Sequence, residues 1–296
     1  MKKIKPFLKL ARPHHWLKNG FIGLPLFFGY QLTNTAAVVN VFVSIVVFCL
    51  IASSIYIMND IVDIREDRKH PTKKNRPLAK GTISKKHALL YIVSLVSIAF
   101  IAASFFLPYQ IISVLIIYAL LNIAYTYRLK RIPIIDCICI AIGFVLRIFV
   151  GGFAANVHIS QWLVVMTFLL ALFLALSKRR DDLVLGQAGI HGVRKNISGY
   201  NIEFVSAAMT MMGSVIIVSY ILYTVSPKVV ALHGDQLYLT SVWVLIGILR
   251  YLQVTIVEKK SGSPTMVFIK DTFLLITVAC WFISNYLIIY IFDFAL

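Results

Sequence analysis

The chain has 296 residues, 59% of them hydrophobic and only 14% charged, with a mean hydropathy of +0.85. A soluble core cannot hide so large an apolar fraction, so part of the surface must face hydrocarbon, and a soluble domain is excluded. The formal net charge of +17 invites a nucleic-acid reading, which the placement of the charges removes.

The N-terminal stretch "MKKIKPFLKLARPHHWLKN" is basic and amphipathic, with no short apolar run and cleavage site behind it. It predicts an interfacial helix over 1–18, lying on the inner leaflet with Trp16 as a headgroup anchor and His14 and His15 beside it. Apolar windows long enough to cross a bilayer follow at 19–36, 38–58, 87–107, 109–126, 134–155, 160–177, 204–226, 236–257 and 271–292. The expected fold is therefore an all-α integral membrane protein with nine transmembrane helices, read as one bundle and one domain over 1–296.

Lys and Arg number six up to Asn19, nine in 59–86, three in "YRLKRIP", five in 177–200 and four in 250–270. A nine-span topology puts all of these on one side. The other side holds Lys228, and Arg147 lies inside a span. That asymmetry is the positive-inside pattern of a bacterial cytoplasmic membrane, with the N-terminus cytoplasmic and the C-terminus outside. The basic charge reports topology and suits anionic headgroups; it gives no ground for nucleic-acid binding. The four cysteines, Cys49, Cys137, Cys139 and Cys280, sit in apolar segments without metal-ligand spacing and read as core filler.

Two cytoplasmic loops stand out, 59–86 after the second span and 177–203 after the sixth. Asp63 and Asp181 lie 118 positions apart, which suggests two related halves. The first loop opens "NDIVDIREDRKHPTKKNRPLAKG". On a helix turning about 100° per residue, Asn59, Asp60, Asp63 and Asp67 share an arc of roughly 100°, with Arg65 facing away and Glu66 near the edge. Clustered carboxylates at a helix C-terminus repel one another and oppose the helix dipole. A divalent cation relieves both penalties, and an oxygen-only donor set selects Mg²⁺, or a similar hard ion such as Mn²⁺. Such an ion takes its remaining ligands from water and phosphate. Arg68, His70, Lys73, Lys74, Arg76 and Lys80 follow on a loop ordered by Pro71, Pro77 and Gly81, a cationic strand suited to phosphates. A solvated charge run would explain these cations but not the acids beside them. The second loop, "LSKRRDDLVLGQ", carries Lys178, Arg179, Asp181 and Asp182, with "GVRKNISGYN" behind it. By itself it is an ordinary salt-bridge cluster; its symmetric placement makes it a candidate second half-site.

Among the remaining polar residues, Arg147 in mid-span must face the interior and find a partner. Asp136 shares its face but lies three turns away. Asn122, Tyr125 and Tyr127 could line a cavity or belong to an aromatic belt, Asp271 reads as interfacial, and Gly151–Gly152 permits close helix packing.

The stretch "NDIVDIRED" fits the NDxxDxxxD signature of the UbiA superfamily of intramembrane prenyltransferases, which the chain resembles to about residue 201. Within that superfamily it is most similar to the decaprenyl-phosphate phosphoribosyltransferase branch. The branch has an RPxxWxKN motif, here Arg12, Pro13, Trp16, Lys18 and Asn19, and a DRxHPxKxxRPxAxG continuation, here Asp67 to Gly81. "RLKRIPIIDC", "GFVLRIFVGG" and a KRxxE-type motif follow in order, the last with Asp182 where Glu is expected. The resemblance implies a nine-helix fold with a cytoplasm-facing cavity. It implies Mg²⁺ held by Asn59, Asp63 and Asp67, with Asp60 beside them as the fourth candidate catalytic residue. It further implies transfer of 5-phosphoribose from phosphoribosyl diphosphate to a polyprenyl phosphate, with release of pyrophosphate. Candidates for holding the substrates are Lys18, Asn19, Arg68, Lys73, Arg76, Lys178, Arg179, Asp182, Arg194 and Tyr200. The acidic motif equally serves a prenyl diphosphate donor with an aromatic or other small acceptor. A transporter or lipid-binding protein is the third reading, and the crowding of charge at one face argues against it. Lipid chain length and oligomeric state leave no mark in the sequence.

Overall fold

The computed structural model describes residues 4–69, 73–187, 199–259 and 264–291, and among them the regular structure is entirely helical. Eight described helices are long and apolar enough to cross a membrane. By contacts the chain divides into two compact units, one running up to Ile159 and the other taking up at Ser160.

The first unit begins with α1 (Ile4–Ala11), a 3₁₀ segment over Pro13–Gly23 and the short α2 (Leu24–Phe28). The stretch 19–36, read from sequence as one long span, is therefore broken. Pro13, Gly20, Gly23 and Pro25 interrupt an α-helical ladder, and the chain winds through in the tighter form instead. Eight continuous crossings are thus described where nine were expected. Next come α3 (Thr35–Val62), α4 (Ile64–Lys69), α5 (Lys85–Phe106), α6 (Tyr109–Tyr127) and α7 (Ile135–Ala155). Asn34 caps α3 by accepting from the Ala37 N–H at 3.3 Å.

α3 is the axis of this unit and packs against α5, α6, α7 and the 3₁₀ segment. Phe48, Ile51 and Ala52 of α3 meet Ala99, Ile111, Leu115 and Val150 in a continuous apolar core. Gly151 is what admits the 3₁₀ segment to α7, since a Cβ there would stand 2.0 Å from the Ile22 carbonyl oxygen. α5 by contrast turns Val93, Ile98, Ile101 and Phe105 outward, the last 80% exposed. A helix with that outer face is stable only in lipid.

The second unit comprises α8 (Gln161–Gln187), α9 (Ile202–Thr224), α10 (Pro227–His233), α11 (Ser241–Leu252), α12 (Pro264–Lys270) and α13 (Thr272–Tyr286). α8 packs along α9, and α11 lies against α13 and α9. α11 runs into a π-helical turn, Gln253–Val257. Arg180 of α8 donates to the Thr255 carbonyl in that turn at 2.6 Å and to Ser206 Oγ of α9 at 2.9 Å, so one buried guanidinium joins three elements.

Candidate active site

The acidic signature lies where α3 ends. Helical bonds continue across it, from the Asp63 N–H to the Asn59 carbonyl (2.9 Å) and from the Asp67 N–H to the Asp63 carbonyl (2.8 Å). Asp63 itself leaves the helical region, at φ −91° and ψ 7°, so α4 is a kinked continuation of α3 rather than a straight one. Asp60 and Asp67 are nearly inaccessible, at 2% and 4% exposure. Arg65 is exposed, as its place on the helix predicts.

Each acid has a cation. Arg76 Nη1 bridges Asp67 Oδ2 (2.7 Å) and Asp60 Oδ1 (3.0 Å). Arg12 also pairs with Asp60, and Lys130 Nζ meets Asp63 Oδ1 at 2.7 Å. These cations supply the compensation that sequence reasoning assigned to a metal. Arg12 adopts the left-handed conformation, φ 54° and ψ 60°, which costs a non-glycine residue energy and holds only where its surroundings fix it. Here Asp60 grips its guanidinium, which also lies 5.3 Å from the centre of the Tyr56 ring.

Asn59 is set by a third helix. The Thr126 hydroxyl of α6 lies 2.6 Å from the Asn59 side chain and 2.7 Å from the Asn122 carbonyl. One hydroxyl proton cannot serve both. The 2.6 Å contact has the length of an O–H···O bond, so the proton goes to Asn59 Oδ1. Asn59 Oδ1 accepts from Thr126 with one lone pair, and its second lone pair is left for a cation. The ion pairs of Asp63 and Asp67 engage one oxygen of each, leaving the other available. Among the described residues, no three His, Cys, Asp or Glu side chains gather as a metal cage. One amide oxygen and two carboxylate oxygens instead form a partial, all-oxygen set. That fits a hard ion that completes its shell with water and phosphate.

Deeper in the first unit, Asn19 accepts from Arg147 Nε at 2.9 Å and donates to Cys49 Sγ at 3.0 Å. Arg147 further donates to the Gly143 carbonyl (2.7 Å) and to the Tyr118 hydroxyl (3.3 Å), and it faces the rings of Phe48, Tyr118 and Phe144 at 4.6–5.2 Å. The partner that a mid-span arginine requires is thus a set of neutral acceptors and aromatic faces. Lys18 stands close by.

The other expected site residues are scattered. Arg68 Nε reaches back to the Ala79 carbonyl (3.2 Å) and braces the cationic loop. Lys73 lines a depression with Lys9, Asn75 and Arg76. In the second unit, the expected loop stays helical through Gln187, so Lys178, Arg179, Asp181 and Asp182 ride on the last turns of α8. Arg179 is fully buried and pairs with Asp182 at 3.2 Å. Tyr200 is buried beside Phe204. His70 and Arg194 lie outside the described residues. Sequence reasoning missed Lys130 and Thr126. The "YRLKRIP" turn reads from sequence as charge alone, and a threonine immediately before it carries no signal of its own.

The model of the UbiA prenyltransferase family matches residues 22–277. The decaprenyl-phosphate phosphoribosyltransferase of Mycolicibacterium smegmatis is 31% identical, covering 94% of this chain and 90% of the relative. That of Corynebacterium glutamicum is 30% identical, covering 96% and 86%. A solved UbiA homolog from Archaeoglobus fulgidus, bound to DMAPP and Mg²⁺, superposes with a TM-score of 0.71 at 18% identity, covering 96% of this chain and 99% of that one. A family match over most of the sequence, relatives of similar length and a shared fold have one meaning: the chain belongs to the UbiA prenyltransferase family.

Proposed function

We propose that this protein is a membrane transferase that moves 5-phosphoribose from phosphoribosyl diphosphate to a polyprenyl phosphate and releases pyrophosphate. The observation that carries the reading is the pairing of an all-oxygen donor set with the cations Arg76 and Lys130 at the polar end of α3. Relatives bearing the phosphoribosyltransferase name over nearly their whole length support it. Mg²⁺, with Mn²⁺ as a substitute, would be held by Asn59, Asp63 and Asp67, and would neutralise charge on the leaving diphosphate. A related structure holding Mg²⁺ with a prenyl diphosphate supports a divalent ion.

The chain's own residues do the positioning. Arg12 fixes Asp60, and Asp60 with Asp67 fixes Arg76 for a diphosphate oxygen. Lys130, held by Asp63, stands ready for a second. The acceptor is a phosphate monoester, anionic near neutral pH, so the reaction needs electrostatic positioning more than a strong general base. Lys18, Lys73, Lys178, Arg179 and Arg194 complete the phosphate-binding set in this proposal, which places the reaction in a cavity open to the cytoplasm. Topologically, the 3₁₀ segment with α2 makes the first of nine crossings in a bacterial cytoplasmic membrane, with the N-terminus inside and the C-terminus outside.

A second reading keeps the fold and uses a prenyl diphosphate donor with a small acceptor, favoured by the DMAPP in the related structure. A paired assay separates the two. Purified protein with Mg²⁺ and labelled phosphoribosyl diphosphate should label a polyprenyl phosphate, and EDTA or Asp63→Asn should abolish the label. Product formed only from a prenyl diphosphate and an aromatic acceptor overturns the first reading.

A further inference from the structure

Beside the acidic motif lies a second feature, which shares Arg76 with it. Lys9 of α1 and Lys73, Asn75 and Arg76 of the following turn line a depression of about 250 Å³. Three of its four walls are cationic. Lys9 Nζ donates to the Asn75 carbonyl at 3.3 Å, which ties α1 to the turn. The placement of Lys9 is built into the core, because its neighbour Leu10 is fully buried with Ile57, Ile64 and Leu78. Phe7 adds an edge-to-face contact with Tyr91 at 5.3 Å. The depression is open to solvent, and its Lys9 wall is anchored through the buried Leu10 beside it.

Its position gives it meaning. Arg76 belongs to both features: it lines the recess, yet its two ion pairs to Asp60 and Asp67 both use Nη1. Anything held in the recess is one guanidinium away from the acidic motif. We propose that this recess binds a phosphate monoester, the one on C5 of the sugar donor, while the donor's diphosphate lies at Asn59, Asp63 and Asp67. A near-dianion suits three cations. Phosphoribosyl diphosphate carries phosphate at both ends of its ribose ring, and a prenyl diphosphate carries it at one. The recess then selects the donor, and Lys9 becomes a specificity residue. This rests on the phosphoribosyl reading above. The competing source of the same chemistry is an anionic phospholipid headgroup, since α1 is amphipathic.

The test uses full-length protein in nanodiscs of phosphatidylcholine alone and with added phosphatidylglycerol. Lys9→Gln should raise KM for phosphoribosyl diphosphate about tenfold, the worth of one charge-assisted hydrogen bond. It should weaken ribose 5-phosphate as a competitive inhibitor by the same factor, in both lipid mixtures. The inhibition constant of pyrophosphate should stay put, and Lys9→Arg should recover most of the loss. An effect seen only with phosphatidylglycerol assigns the recess to headgroups and overturns the proposal. So does an unchanged KM, or a pyrophosphate constant that moves in step. Calorimetry of ribose 5-phosphate binding, without acceptor lipid, reads the recess even where turnover fails: loss in Lys9→Gln upholds it, and equal binding by both proteins refutes it.

Discussion

Thr126→Val isolates the role assigned to the α6 hydroxyl. The substitution keeps volume and branching at a fully buried position and deletes only the oxygen that sits 2.6 Å from Asn59 and 2.7 Å from the Asn122 carbonyl. Asn122 is in mid-helix and keeps its backbone partner, so the cost to stability is that of one neutral hydrogen bond, ~1 kcal/mol. The Asn59 amide is affected more. Without Thr126 nothing donates to its Oδ1 and holds the second lone pair in place for a cation. Outer-shell groups of this kind change metal affinity by about 10- to 100-fold when removed. The expected result is a rise of about tenfold or more in the Mg²⁺ concentration for half-maximal activity, with recovery in Thr126→Ser. Mn²⁺ binding followed by electron paramagnetic resonance should weaken in parallel, without turnover. A Thr126→Val protein that folds normally and shows wild-type Mg²⁺ and Mn²⁺ dependence refutes the amide assignment.

Arg76→Met leaves Asp67 without its partner, while Asp60 keeps Arg12. Breaking a buried pair costs ~3–5 kcal/mol; with Arg76 partly solvated, ~1–3 kcal/mol is expected by denaturant titration, together with loss of activity. Gly151→Ala forces a Cβ to 2.0 Å from the Ile22 carbonyl and should destabilise the protein by ~1–3 kcal/mol, as overpacking does.

Legibility followed the length scale of the signal. Long apolar windows located the eight described spans, because a span is set by bilayer thickness and hydropathy alone, but α3 and α8 run past theirs, α8 to Gln187. The stretch 19–36 failed that logic. Its hydropathy is that of a span, yet Gly20 and Gly23 weaken the α-helical form, a 3₁₀ path runs to Gly23, and Pro25 sits in the first turn of a separate short helix, α2. At the site, helical periodicity correctly brought Asp60 and Asp67 together, since both answer to Arg76. Periodicity could not show which cations would face them. Lys130 and Arg12 come from elements 67 and 48 positions away in sequence, and long-range pairing of this kind has no local signature.

The pairing bears on how the site recognises its donor. Asp60, Asp63 and Asp67 are met by Arg12, Arg76 and Lys130, three charges against three. The cluster is near neutral, so free pyrophosphate gains little from it: each cation it takes strands a carboxylate, and Asp60 and Asp67 are nearly inaccessible to screening water. On the proposed function, a diphosphate arriving with its divalent ion would meet no such penalty, since Asn59, Asp63 and Asp67 would hold the ion while Arg76 and Lys130 pair with the phosphate oxygens. Pyrophosphate should therefore bind at least tenfold more weakly in EDTA than in Mg²⁺. The difference should shrink in Asp63→Asn, where Lys130 has no carboxylate to leave. Equal affinity in both conditions would mean that the diphosphate lies away from these carboxylates, and the active site would have to be sought elsewhere in the chain.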